Sequence, residues 1–204
     1  MSTDEPRAGT IDAVVLAGGR AERLGGVSKP DVLVAGRRLL DHAMTAAARA
    51  RRVVVVAPEN VAVPDRVLRT VEDPPFGGPV AGLAAGIAEL DRAPEAPAGS
   101  VLVLACDAPH VASAVPRLLA AGVQADGDDS DGAVLVDREG RAQWLTAVYR
   151  LPRLRERLTA RQDDAGRPGG SMRSLVAGLR LIEVPARGRE ADDVDTPEDV
   201  ARAR

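Results

Sequence analysis

Apolar and polar positions fall into blocks along this chain, and the blocks have two different periods. Short continuous apolar runs at 13–17 (AVVLA), 53–57 (VVVVA) and 101–106 (VLVLAC) each stop at glycine, proline or aspartate. Runs of that length and composition predict strands buried on both faces. A weaker strand is expected at 67–71. Between them, 39–50 carries good helix formers with apolar residues at helical spacing. In 80–90, Val80, Leu83, Ala84, Ile87 and Leu90 share one helical face behind a Gly-Gly-Pro turn. A further helix is expected over 114–121.

The second half is less regular. Strands are predicted at 133–137 and 143–150 around the turn Asp137-Arg138-Glu139-Gly140, and at 181–184. Pro152 opens a basic amphipathic helix to about Arg161, and Leu175, Val176 and Leu179 mark another short one. Thr196-Pro197-Glu198-Asp199 is a helix start, with an N-cap, a proline at the first position and an acid three residues after the cap. The acidic stretch 125–132 resembles a calcium loop only superficially, because Ser130 stands where a carboxylate is needed and no glutamate closes it. A solvated loop is expected there. Residues 1–10 read as a disordered lead-in, and 11–204 as one domain.

Strands alternating with helices predict an α/β fold with a mainly parallel sheet. In such sheets ligands sit outside the carboxyl ends of the strands. Three segments leave predicted strands at that edge: the stretch after Leu16, Asp73 and Asp107. The first reads DAVVLAGGRAERLGGVSKP over 12–30. Its glycines let backbone N–H groups turn toward a ligand without a Cβ in the way, and Arg20, Arg23 and Lys29 add positive charge. That combination suits a polyphosphate.

Composition sharpens this reading. Of 27 basic side chains, Lys29 is the only lysine, so a compact charge on a flexible stem stands out against an arginine background. The loop is neither a Walker A sequence, since Ser28 and Pro30 flank Lys29, nor the G-x-G-x-x-G dinucleotide fingerprint. A formal net charge of −3 and only three aromatics, Phe76, Trp144 and Tyr149, argue against a nucleic-acid or membrane-surface binder. One cysteine, Cys106, excludes an intrachain disulfide, and two histidines with one cysteine cannot build the usual zinc site. No signal peptide and no membrane-length run is found, so a cytoplasmic protein is the expectation. Arg49, Arg51 and Arg52 read as a solvated helix end.

Leu16-Ala17-Gly18-Gly19, Arg23-Leu24-Gly25 and Lys29 together resemble the LAGGxSxRMGxxxK signature of molybdenum cofactor guanylyltransferase-like (molybdopterin nucleotidyltransferase) enzymes. Cys106-Asp107-Ala108-Pro109 is similar to the family's C-D-x-P segment, Gly78 to Leu83 to its G-P-L-A-G-L segment, and Val194 to Asp199 to its closing N-T-P-E-D motif. Leu145 to Arg150 resembles the acceptor-side strand. The resemblance implies a three-layer α/β/α, Rossmann-like fold of the nucleotide-diphospho-sugar transferase type. It implies an Mg²⁺-dependent transfer of GMP from GTP to the terminal phosphate of molybdopterin, with release of pyrophosphate. Cofactor-delivery proteins or recipient molybdoenzymes would be the partners.

Carried residue by residue, the resemblance gives Lys29, Arg23 and Asp107 as catalytic and Asp107 with Asp195 as metal ligands. Leu16, Ala17, Gly18, Gly19, Lys29, Asp73, Gly78, Pro79, Gly82 and Asp107 would bind the nucleotide. Three positions depart from the pattern: Val56 in place of a frequent asparagine, Asp195 in place of the closing-motif asparagine, and Gln143-Trp144 in place of His-Pro. They bear on the base and acceptor more than on the reaction, and two alternatives stand beside this reading. One is the same chemistry with CTP or another nucleotide and a different phosphorylated acceptor. The other is a non-catalytic nucleotide- or cofactor-binding protein.

Overall fold

The computed structural model describes residues 11–18, 28–72, 77–122, 129–163 and 171–203. The lead-in 1–10, Gly19, Arg23, Asp73 and the first half of the acidic stretch lie outside the described residues.

Seven strands form one sheet in the order β5-β4-β1-β6-β8-β7-β9. These are β1 (Ile11–Leu16), β4 (Val53–Val56), β5 (Leu68–Thr70), β6 (Ser100–Ala105), β7 (Gly132–Val136), β8 (Ala142–Arg150) and β9 (Leu181–Pro185). Strands β5, β4, β1 and β6 are mutually parallel; β8 runs antiparallel to both its neighbours, and β9 is parallel to β7. The sheet is therefore mixed, with the parallel half at the predicted strands. The helices are α1 (Leu39–Ala46), α2 (Pro79–Arg92), α3 (Val115–Gly122), α4 (Leu151–Asp163), α5 (Met172–Leu175) and α6 (Pro197–Arg202).

The alternation of β1 divides the core in two. Ile11, Ala13, Val15 and Ala17 pack with Leu40 and Ala43 of α1 and Val115 and Leu118 of α3, while Val14 and Leu16 pack with Leu83, Ile87 and Leu90 of α2. A three-layer α/β/α arrangement follows from this period-two split. Helix α2 lies unusually close to β1: a Cβ at Gly86 would meet Val14 Cγ1 at 2.5 Å.

A short antiparallel hairpin, β2 (Leu33–Val34) with β3 (Arg37–Arg38), was not expected from the pattern. It turns through Ala35 and Gly36, both at positive φ. The hairpin has its own small core with the C-terminal segment: Val32, Val34 and Leu39 pack with Val194 and Ala203. This cluster joins the region just after Lys29 to the region around Asp195.

Two expectations are corrected. Arg51 and Arg52 are not a solvated helix end: both donate to Asp12, a fully buried carboxylate inside β1, which also accepts from the Ala98 N–H at 2.8 Å. Arg52 and Arg51 reach further to the carbonyls of Glu95 and Ala96, so the pair braces the strand starts to the connection after α2. Within the stretch read as a solvated loop, Asp131 is buried, accepting from the Arg153 side chain and the Arg180 N–H. It fastens β7 to α4 and to the start of β9.

Candidate active site

Strand order reverses direction at β1, whose neighbours β4 and β6 both come later in the chain. That reversal opens a crevice beyond the carboxyl ends of the strands. A cavity of about 650 Å³ lies there. Each strand end contributes to its wall: Gly18 after β1, Ala57 to Glu59 after β4, Val71 and Glu72 after β5, Cys106 and Asp107 after β6. Pro79 and Gly82 of α2 close one side and Leu145 of β8 another.

Lys29 lines the same crevice, at the start of a 3-10 turn (Lys29–Asp31) leading into the hairpin. Its Nζ donates to Asp107 Oδ2 at 2.8 Å and to Asp195 Oδ1 at 2.5 Å. Burial alone would make this ammonium easier to deprotonate, but Asp107 and Asp195 outweigh it and hold the charge well above the ordinary lysine range. Asp107 does not cap a helix. The 3-10 turn that follows it (Val111–Ser113) is headed by His110 and has no side-chain cap.

The route that brings Asp195 to Lys29 is local and legible. Val194 is buried in the small core and its N–H donates to the Asp107 carbonyl at 2.9 Å. Asp195, on one side of buried Val194, meets Lys29, and Asp193, on the other, lies near enough to feel the charges of Asp107, Asp195 and Lys29. The Thr196–Asp199 capping box then fixes the end of the segment, because Asp199 Oδ2 accepts the backbone N–H of Asp195 at 3.1 Å as well as that of Thr196 at 2.8 Å.

Sequence reasoning missed Asp193. Although the residue lies at the surface, its carboxyl is pushed up to about 7, first by loss of water around it and then by the charges of Asp107 and Asp195. The acidic run Asp192-Asp193-Val194-Asp195 was the available signal, but nothing in it tells which acids converge. Glu72 was missed for the same reason and lines the crevice.

Of the residues expected to bind nucleotide, Leu16, Gly18, Lys29, Gly78, Pro79, Gly82 and Asp107 all border the crevice. Ala17 does not present its amide there. It is fully buried, and its N–H donates to the Val56 carbonyl at 2.9 Å. Gly78 has φ 84°, a conformation that a side chain at this helix entry would strain. Gly19, Arg23 and Asp73 are outside the described residues. Cys106 is buried beneath Asp107, and burial followed by the Asp107 charge pushes its thiol up to about 12, so it is a packing residue.

Residues 13–183 match the family described as the MobA-like NTP transferase domain. The chain belongs to that family. Two curated relatives in it are molybdenum cofactor guanylyltransferases: one from Cupriavidus metallidurans, 28% identical and aligned over 86% of this chain and 84% of its own, and one from Cupriavidus pinatubonensis, 32% identical over 85% of each. The crystal structure of molybdopterin-guanine dinucleotide biosynthesis protein A from Archaeoglobus fulgidus superposes with a TM-score of 0.68 at 20% identity, covering 94% of this chain and 96% of that one. At that identity the likeness speaks for the MobA-like fold alone. Among the described residues no helix is long and apolar enough to cross a membrane.

Proposed function

We propose that this chain transfers GMP from GTP to the terminal phosphate of molybdopterin and releases pyrophosphate. The observation that carries the reading is the meeting of Lys29, Asp107 and Asp195 at one side of a nucleotide-sized crevice. The names of the family relatives supply the substrates.

In this reaction an oxygen of the acceptor phosphate attacks the α-phosphorus of GTP, and the bond from that phosphorus to the bridging oxygen of the β-phosphate breaks. Little covalent help is required of the protein. It has to align the two phosphates and offset the charge that moves onto the leaving pyrophosphate. Lys29 is the donor for the α-phosphoryl oxygens, once it exchanges its carboxylate partners for phosphate.

Magnesium fits the residues present. Asp107 and Asp195 set two carboxylates against the one ammonium of Lys29 at the crevice. Among the described residues no group of three or more metal-binding side chains is gathered as a complete ligand set. Mg²⁺ is content with fewer, since it takes one or two carboxylates plus water and substrate phosphates. Asp107 and Asp195 would hold it, and when bound it would neutralise phosphate charge.

The test is pyrophosphate release in the presence of molybdopterin and Mg²⁺, with GTP and CTP in competition. GTP outrunning CTP is expected. Val56 and Asp195, which depart from the family pattern, leave CTP open, and CTP outrunning GTP would reassign the base. Nucleotide binding without pyrophosphate release from either would make the chain a carrier.

A further inference from the structure

Beyond Asp107 the crevice wall passes to β8, and there the sheet is irregular. Val134 of β7 faces Ala147 while Leu135 faces Gln143, so a single step along β7 answers to the whole stretch 143–147 of β8. On its other edge β8 pairs with β6 only as far as Thr146, opposite Leu104. Trp144 and Leu145 therefore pair with neither neighbour. The hydroxyl of Tyr149, a fully buried ring, donates to the Trp144 carbonyl at 2.7 Å and fastens this bulge. Bulges re-aim side chains, and this one does so. Ala147 and Tyr149 face the α2 layer, and strict alternation from them would send Leu145 there and Trp144 to the opposite layer. Trp144 instead packs against the same cluster as Leu145. Leu145 borders the crevice, so the half-buried indole stands beside its wall, at the end away from β4 and β5. Tyr149 is fully buried, so among the described residues Trp144 is the aromatic ring that a ligand can reach.

We propose that Trp144 is the acceptor platform: its indole stacks on the flat pyrimidinone ring of the pterin and so aligns the acceptor phosphate with the α-phosphorus. This rests on the nucleotidyl-transfer reading above and adds the side chain that holds the acceptor. In-line attack needs the acceptor opposite the leaving pyrophosphate across the α-phosphorus. Lys29 and Asp107 mark the phosphate position, and the cavity runs from them past β1 to the ends of β4 and β5. The nucleoside takes that run, and the β8 side is left to the acceptor. A ring face suits an acceptor there, because stacking supplies contact area and orientation without a polar partner. The position is also one where this chain departs from its family pattern, carrying Gln143-Trp144 for His-Pro, so the platform is a property of this chain.

The experiment is calorimetric titration of the full chain with molybdopterin and, separately, with Mg²⁺-GTP, in wild type, Trp144→Leu and Trp144→Phe. Trp144→Leu should lose at least about tenfold in molybdopterin affinity, the scale of one lost ring stack, with GTP affinity unchanged. Trp144→Phe, which keeps a ring, should recover most of the loss. Unchanged molybdopterin affinity in Trp144→Leu overturns the inference. So does an equal loss for both ligands, which would make Trp144 a packing residue, and so does a loss confined to GTP, which would put the ring under the base. Pyrophosphate release separates this inference from the reading it rests on. If wild type transfers GMP and Trp144→Leu leaves the acceptor KM where it was, this inference alone falls. If molybdopterin is held through Trp144 and no pyrophosphate is released, the platform stands and the transfer reading falls. If wild type binds no molybdopterin, both fall.

Discussion

Lys29 and Asp107 are 78 residues apart in the chain and 2.8 Å apart at Nζ and Oδ2. Asp195 closes on the same ammonium from the far side of the sequence. The contact is a side-chain meeting that no local pattern dictates, and it organises the Asp107 side of the crevice.

If Lys29 stabilises charge on the α-phosphoryl oxygens, its loss should fall on turnover. Lys29→Ala is expected to lower kcat by about 10²–10³, corresponding to about 3–4 kcal/mol of barrier, while KM for GTP changes much less. Steady-state pyrophosphate release measures both. An equal loss in kcat/KM carried entirely by KM would mean that the lysine only holds the substrate.

The same ammonium competes with a metal for Asp107 and Asp195. Without nucleotide, Lys29→Gln should therefore bind free Mn²⁺ at least about tenfold more tightly than wild type, since a nearby unit charge near a protein surface acts at the level of several kcal/mol. Electron paramagnetic resonance of free Mn²⁺ reads this directly, with no turnover required. Unchanged Mn²⁺ affinity would dissociate the two carboxylates from the metal.

Asp12 is a structural pivot well away from the chemistry. Burial opposes its charge, but Arg52, the Ala98 N–H and Arg51 more than compensate and hold its carboxyl below the usual range. Asp12→Ala would leave two arginines without their shared partner and is expected to cost about 3–5 kcal/mol in denaturant unfolding. Arg51→Ala should cost less, because Arg52, the more buried of the two, keeps its 2.7 Å contact.

Asp199 predicts an acid limit for the closing segment. Hydrogen bonds from the Thr196 hydroxyl and the Asp195 N–H lower its carboxyl from 3.8 to about 2. A folded-state value below the unfolded one means that its stabilisation is fully present above about pH 4 and lost as pH falls toward 2. The unfolding temperature of wild type should fall more steeply across that window than that of Asp199→Asn, whose curve should be lower and flatter. Parallel curves would remove Asp199 from the linkage.

Much of the parallel half of the fold was legible because its strands are continuous apolar runs, and the capping box because it is a local rule satisfied within four residues. The hairpin was hidden. Its strands are two residues long, and the turn places Ala35 at φ 49° where an asparagine or glycine would have announced it. The role of Arg51 and Arg52 was hidden by distance: their partner Asp12 sits 39 and 40 residues earlier, at the edge of a run that reads as wholly apolar. For the site, strand ends located Asp107, and the signature located Lys29. Asp193 and Glu72 needed the folded chain, since one depends on the charges of Asp107 and Asp195 and the other on the strand ends that meet at the crevice.

The small core formed by Val32, Val34, Leu39, Val194 and Ala203 lies beyond the main sheet in every sense. A protease that cut between Ala186 and Asp192 would leave the described strands in place, with the segment that carries Asp195 held by the small core and by the Val194 N–H on the Asp107 carbonyl. The seven-stranded sheet would survive such a nick, while the hold of Asp195 on Lys29 would rest on that core and that hydrogen bond.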